Sequence, residues 1–184
     1  VALIHVEVRR EDDLKEVRTL HAFFGRYITF FLIGQIQAAI TVLGDLFYIN
    51  IQCPHPFLFW LAAAASSFVF TLFIYSLTVA MGNVGEAIAV VVMVMQVAGA
   101  GGTFPIEVLP TVYQMIYKFL PFTYCMNALR ECVGGMYRND YWKDIRTLGI
   151  YVLISLFIGL VVAIPFRKLN KKIERSKEKS KVML

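Results

Sequence analysis

Long apolar runs separated by short polar breaks set the pattern of this chain. Residues 27–49, 57–80, 87–104 and 148–166 carry almost no charge over lengths close to one bilayer crossing. A hydrocarbon core of about 30 Å needs about 20 apolar residues as helix, so the pattern predicts four transmembrane helices. The third run is the shortest and ends in Ala-Gly-Ala-Gly-Gly, a weak helix former, which makes its boundary the least sharp.

The break at 105–135 differs from the others. It holds Pro105, Pro110 and Pro121 together with Glu107, Lys118, Arg130 and Glu131. From Pro110, suited to the first turn of a helix, Val112, Met115, Ile116, Phe119 and Leu120 recur at helical spacing until Pro121 stops the run. After Thr123, an N-cap residue type, Cys125, Ala128, Leu129, Cys132 and Val133 repeat the spacing, and Gly134 with Gly135 supplies a stop. Each helix has about ten residues, about 15 Å, and cannot cross a bilayer. The prediction is a re-entrant or interfacial helical hairpin with a proline elbow. As a gate or lid its candidate residues are Pro110, Pro121, Tyr124, Arg130, Glu131, Gly134 and Gly135. The alternative is a loop resting on lipid, because non-helical backbone at membrane depth is tolerated only against protein or a wet cavity.

In the first run, Gly34, Gln37, Thr41, Gly44 and Asp45 fall on one side of a helix. Small residues permit close helix approach and an intramembrane Asp faces protein or water, so this stripe reads as a packing seam or a translocation path. Ordinary packing, with Asp45 near the headgroups, is the alternative. Gln35, Gln96, Ser66 and Ser67 read as interhelical hydrogen-bond partners. Before the first run, the segment from Glu11 to Tyr27 reads as a surface helix that opens with acids, where the helix macrodipole favours them.

Composition strengthens the membrane reading: 58% of residues are hydrophobic, against about 45–50% in soluble domains. Charge then orients the helices. Of the 18 Lys and Arg, five lie between Arg9 and Arg26, eight between Arg167 and Lys181, and five between Lys118 and Arg146. The positive-inside rule places the basic tail 167–184 in the cytoplasm, and four crossings return segment 1–26 there too, with the hairpin outside. The expected layout is a cytoplasmic amphipathic segment 1–26, a membrane domain 27–166 and a basic tail 167–184 that attracts anionic lipid or a partner. The chain opens at Val1 without an initiator Met, so it is expected to be a piece of something longer.

Motifs for chemistry are missing. There is no GxxxxGK phosphate loop, no G-x-S-x-G elbow and no HExxH, and His5, His21 and His55 are scattered. No enzyme activity, cofactor or metal is expected, and any ATP hydrolysis needs another chain. Cys125 and Cys132 lie seven residues apart on one helix, about 10 Å, beyond disulfide reach, which leaves Cys53 as the partner either could take. Basic residues flank spans rather than forming a patch with interleaved aromatics, so nucleic acid is not an expected partner.

The stretch "MGNVGEAIAVVVMVMQVAGAGGTFPIEVLP" and the later "FLPFTYCMNALRECVGG" closely resemble the carboxy-terminal membrane domain of the YhgE/Pip (phage infection protein) family, within the ABC-2 type permease superfamily. The likeness is strongest from Met81 to Gly135 and looser from His21 and through the last run. It implies the last four of six spans, with a helical hairpin between the final two. It also implies a bacterial plasma-membrane protein, a homodimer, and a preceding span and large extracellular region of the same protein. By the same resemblance, Asp12, Asp13, Leu14, Val17 and Arg18 would sit in a cytoplasmic segment that contacts a separate ATPase subunit. Two functions follow: a permease half that exports or secretes a lipid-like, peptide or protein substrate, or a non-transporting anchor for an extracellular region that phages or secretion partners recognise.

Overall fold

The computed structural model describes residues 19–99, 106–136 and 139–162, and within them every regular element is helical. Helix α1 spans Thr19–Leu43 and runs on through a π-helical turn, Gly44–Tyr48. Helix α2 spans Pro56–Met81, α3 Asn83–Gly99, α4 Thr111–Ile116, α5 Pro121–Gly134 and α6 Asp140–Phe157, the last extended by a π-helical turn at Ile158–Val162. Pro56 opens α2 at a first-turn position, where a missing N–H costs nothing. Gly82 ends it with φ 60° and ψ −138°, a conformation that side chains oppose, and the chain turns directly into α3.

Helix α2 is the hub, in contact with α1, α3, α5 and α6. In a bilayer lipid is as apolar as the helices, so association depends on close packing and hydrogen bonds rather than on water exclusion. The α1–α2 seam shows both. Phe23, Tyr27, Phe30, Gly34, Ala38 and Val42 are buried at helical spacing, while Ile28, Leu32, Ile36, Ile40 and Leu43 face outward. The rings of Phe23, Tyr27 and Phe30 each lie within 5.5 Å of Tyr75, centroid to centroid. Tyr75 donates to the Phe23 carbonyl at 2.9 Å, and the Tyr27 hydroxyl lies 3.2 Å from both the Phe68 carbonyl and Thr71 Oγ1. Gln35 donates to the Ala64 carbonyl at 3.1 Å. Each such bond contributes about 0.6 kcal/mol within a membrane.

At the opposite end of the seam, Val42, Phe59, Ala62, Ala128, Cys132 and Tyr141 form a cluster that joins α1, α2, α5 and α6. Tyr141 donates to the Leu58 carbonyl at 2.8 Å, and Cys53 Sγ to the Cys132 carbonyl at 3.2 Å. Val69, Cys125 and Leu148 fill the middle.

The structure corrects the expected topology. Three helices among the described residues are long and apolar enough to cross a membrane: Phe23–Tyr48, Pro56–Met81 and Asp140–Val162. Helix α3, expected as a fourth span at 87–104, has 17 residues, about 26 Å, and its apolar part is Val84–Val97. Residues 100–104 lie outside the described residues. Both ends in the cytoplasm required an even number of crossings. Three is odd, which is incompatible with both ends on that side, and the expectation is overturned.

Residues 19–26 form the opening turns of α1, which runs on into the span. The rest of the amino-terminal segment, including Asp12, Asp13, Leu14, Val17 and Arg18, and the tail 167–184 lie outside the described residues.

Candidate functional site

The interruption between α3 and α6 is a bent pair of helices. Helix α4 has only six residues, and a 3-10 turn at Tyr117–Phe119 follows it. At Leu120 the backbone becomes extended, φ −97° and ψ 123°, and α5 starts at Pro121. The expected N-cap, Thr123, instead lies inside the first turn of α5, because proline needs no N–H there and takes the helix start three residues earlier, with Leu120 as the N-cap. Pro110 is the N-cap of α4. Gly135 ends α5 with φ 93°, a left-handed value natural to glycine.

An elbow like this leaves backbone groups without helical partners, and they must be satisfied when buried. Each carbonyl of the 3-10 turn receives a side-chain hydroxyl, that of Tyr117 in addition to the Leu120 N–H at 3.3 Å. Thr123 donates to the Tyr117 carbonyl at 2.9 Å, Tyr124 to that of Lys118 at 2.7 Å and Tyr151 of α6 to that of Phe119 at 2.9 Å. On the other side of the bend, the Phe122 N–H donates to Gln96 Oε1 of α3 at 3.3 Å. Leu120 and Pro121 are themselves buried. The elbow is thus wedged between α3 and α6. Gln96 is fully buried, and its Nε2 has no partner among the described residues.

The two halves of the bend differ in burial. Val112, Met115 and Phe119 of the first half are exposed, while Ile116 is half-buried and Leu120 buried, so the apolar face read from its sequence is divided between the outside and the elbow. On α5, Cys125, Ala128 and Cys132 are buried against α2 and α6, with Val133 exposed at the end. Burial, then the neighbouring Cys53 and Glu131, pushes the Cys132 thiol up to about 11. All three cysteines are free thiols.

The polar side of α5 faces the start of α6. Asn127, Arg130 and Glu131 occupy positions i, i+3 and i+4 on one helix, and Asp140, Lys143 and Asp144 do so on the other; together they line an open cleft of about 340 Å³. Of the expected hairpin residues, the fold therefore brings Arg130 and Glu131 into this cleft. Pro121 and Tyr124 belong to the elbow, Gly134 and Gly135 to the exposed end of α5, and Pro110 is exposed on α4. Asp140, Lys143 and Asp144 were missed by sequence reasoning. The matching i, i+3, i+4 polar triads were the signal available.

The stripe on α1 divides. Gly34 is buried, so close to α2 that a Cβ there would lie 2.8 Å from Ser67 Oγ and 2.9 Å from Thr71 Cγ2. Gln37 and Thr41 are exposed, Asp45 is partly so, and Gly44 has open space where a side chain would be. Gln35 and Gln96 bridge helices, whereas Ser66 bonds back to Ala62 of its own helix at 2.7 Å. His21 and His55 are exposed. Among the described residues no group of three His, Cys, Asp or Glu is placed to hold a metal.

Among the described residues, helices of spanning length are interrupted by a bent helix pair wedged between α3 and α6. A family model described as an ABC-2 family transporter protein matches residues 14–164, and the chain belongs to that family. Within it the chain falls in the YhgE/Pip group: it is 32% identical over 156 residues to "Uncharacterized protein YhgE" of Bacillus subtilis (strain 168), an alignment covering 85% of this chain and 20% of that protein. The chain thus spans about a fifth of the length of that curated relative. No solved structure matches it.

Proposed function

We propose that this chain is the membrane half-site of an export or secretion permease, completed by a second copy and driven by a separate ATPase, with the bent α4–α5 pair as its gate. The observation that carries this reading is the elbow at Leu120–Pro121. A helix that starts among buried residues, with its neighbouring carbonyls held by Thr123, Tyr124 and Tyr151 and its first N–H by Gln96, supports the reading of a re-entrant element. Four side-chain bonds that can break and re-form together give such an element two states. In the same reading, the exposed Gln37 and Thr41, with the half-buried Gly44 and Asp45, face the partner copy or the path, and residues 12–18 contact the ATPase. The preceding region of the same protein and the surrounding lipid complete the assembly.

The test is to lock the gate. A Cβ at Gly99 would lie 3.0 Å from Tyr113 Cδ1, so Gly99→Cys with Tyr113→Cys in a Cys53→Ser background should join α3 to α4 under oxidation. In the full-length protein in cells, the secreted proteins and exported lipids that are lost on gene deletion should also be lost on locking, and return with reductant. A non-transporting anchor would keep that material outside the cell unchanged when locked, and such a result refutes the proposal.

A further inference from the structure

Asp144 is an unusual residue for its place. It is only 9% exposed, it lines the α5–α6 cleft, and no donor among the described residues reaches its carboxylate. It lies in the field of Asp140 and Glu131, which repel it, and of Lys143, which attracts it. A buried carboxylate without a partner is costly, and a cationic hydrogen-bond donor entering the cleft would relieve that cost. A metal ion fits poorly, since no three ligand side chains converge. The cleft also holds two cations, Arg130 and Lys143, beside its three carboxylates. It is therefore suited to a group that carries both signs.

Position narrows the choice. The cleft lies at the end of the bundle where Tyr141 meets Leu58 and Cys53 meets Cys132. Trp142 beside it, and Tyr48 and Trp60 on neighbouring elements at that end, are exposed. Exposed Trp and Tyr at the end of a spanning bundle mark the membrane–water interface, where headgroups lie. We propose that the Asn127–Asp144 cleft binds the phosphoethanolamine headgroup of a membrane lipid, with Asp144 accepting from the primary ammonium and the exposed Lys143 facing the phosphate. This site is independent of whether the chain transports anything. It discriminates by chemistry: a quaternary choline ammonium cannot donate a hydrogen bond to Asp144, and a glycerol headgroup carries no cation.

The test uses the full-length protein, equilibrated with equal amounts of phosphatidylethanolamine, phosphatidylcholine and phosphatidylglycerol and then washed to remove loosely held lipid. Lipid retained per protein is counted by mass spectrometry. Wild type should hold phosphatidylethanolamine about tenfold above either competitor, as a hydrogen bond to a charged group implies. Asp144→Asn should abolish that preference, Asp144→Glu should keep part of it, and Glu86→Gln should leave it intact. Equal retention of the three lipids by wild type, or an undiminished preference in Asp144→Asn, overturns the proposal. If Asp144→Asn does not purify as a folded species, the exposed Lys143→Glu is read instead, and an unchanged preference there overturns it equally. Soluble O-phosphoethanolamine at millimolar concentration should not displace the lipid; displacement would refute a lipid source for the headgroup.

Discussion

Gly34→Ala is the sharpest probe of the α1–α2 seam. The added methyl would meet Ser67 Oγ at 2.8 Å and Thr71 Cγ2 at 2.9 Å, both inside normal contact distance. Ser67 can swing its hydroxyl aside. Thr71 cannot move so freely: it is β-branched, its hydroxyl bonds the Ser67 carbonyl at 2.7 Å and lies 3.2 Å from Phe68 O and Tyr27 Oη. Inserting one methyl into a packed site costs about 1–3 kcal/mol, and replacing glycine within a helix returns up to about 1 kcal/mol. With the full helix gain the net expectation is a loss of up to about 2 kcal/mol. Gly44→Ala, with open space around its Cβ position, keeps the helix gain without the clash. Thermal unfolding in detergent, followed by loss of the monodisperse peak in size-exclusion chromatography, should therefore rank Gly44→Ala at or above wild type and Gly34→Ala below it. A Gly34→Ala protein at least as stable as wild type would refute the close packing of α1 on α2.

Gly85→Ala should be worse than Gly34→Ala in the same assay, because its Cβ would overlap the Leu77 carbonyl oxygen, a backbone atom that cannot rotate away; equal effects would refute this placement of α3. Cys132 is fully buried, with its thiol pushed up to about 11, so at pH 8 it should hold about a hundredfold less thiolate than a thiol near 9 and alkylate far more slowly than the partly exposed Cys53. Peptide mapping after brief iodoacetamide treatment checks the order. Pro121→Ala restores an N–H and permits helix through the elbow, so spin labels at Tyr113 and Asn127 should move toward the roughly 21 Å of a straight helix. A wild-type separation already at that value would mean there is no bend.

Much of this architecture was legible before any coordinate. Helix α2 was, because 26 residues of uninterrupted apolar character can satisfy their backbone in lipid only as helix. The break at Pro121 was legible too, since proline cannot continue a helix whose next N–H it lacks. The first half of the hairpin was less so. The spacing of Val112, Met115 and Phe119 gave an apolar face, but whether such a face meets protein or lipid is invisible when both are apolar, and these residues lie outward. The α1 stripe divides for the same reason: Gly34 and Gln37 share a side by angle, yet of the two only Gly34 lies where α2 passes.

The sequence by itself determined that this is a helical membrane protein with a proline-bent interruption, and its quoted motifs placed it with the YhgE/Pip proteins, because hydropathy and backbone chemistry act along the chain without reference to neighbours. Only the tertiary structure decided which faces pair, how many helices have the length to cross, and which distant groups meet. Gln96, Thr123 and Tyr151 satisfy one elbow from three helices, and Asn127 to Glu131 meets Asp140 to Asp144 across a cleft. Those meetings depend on the angles and depths at which helices pack. In lipid these are set by steric fit and a few hydrogen bonds between residues far apart in the chain, which no local pattern encodes.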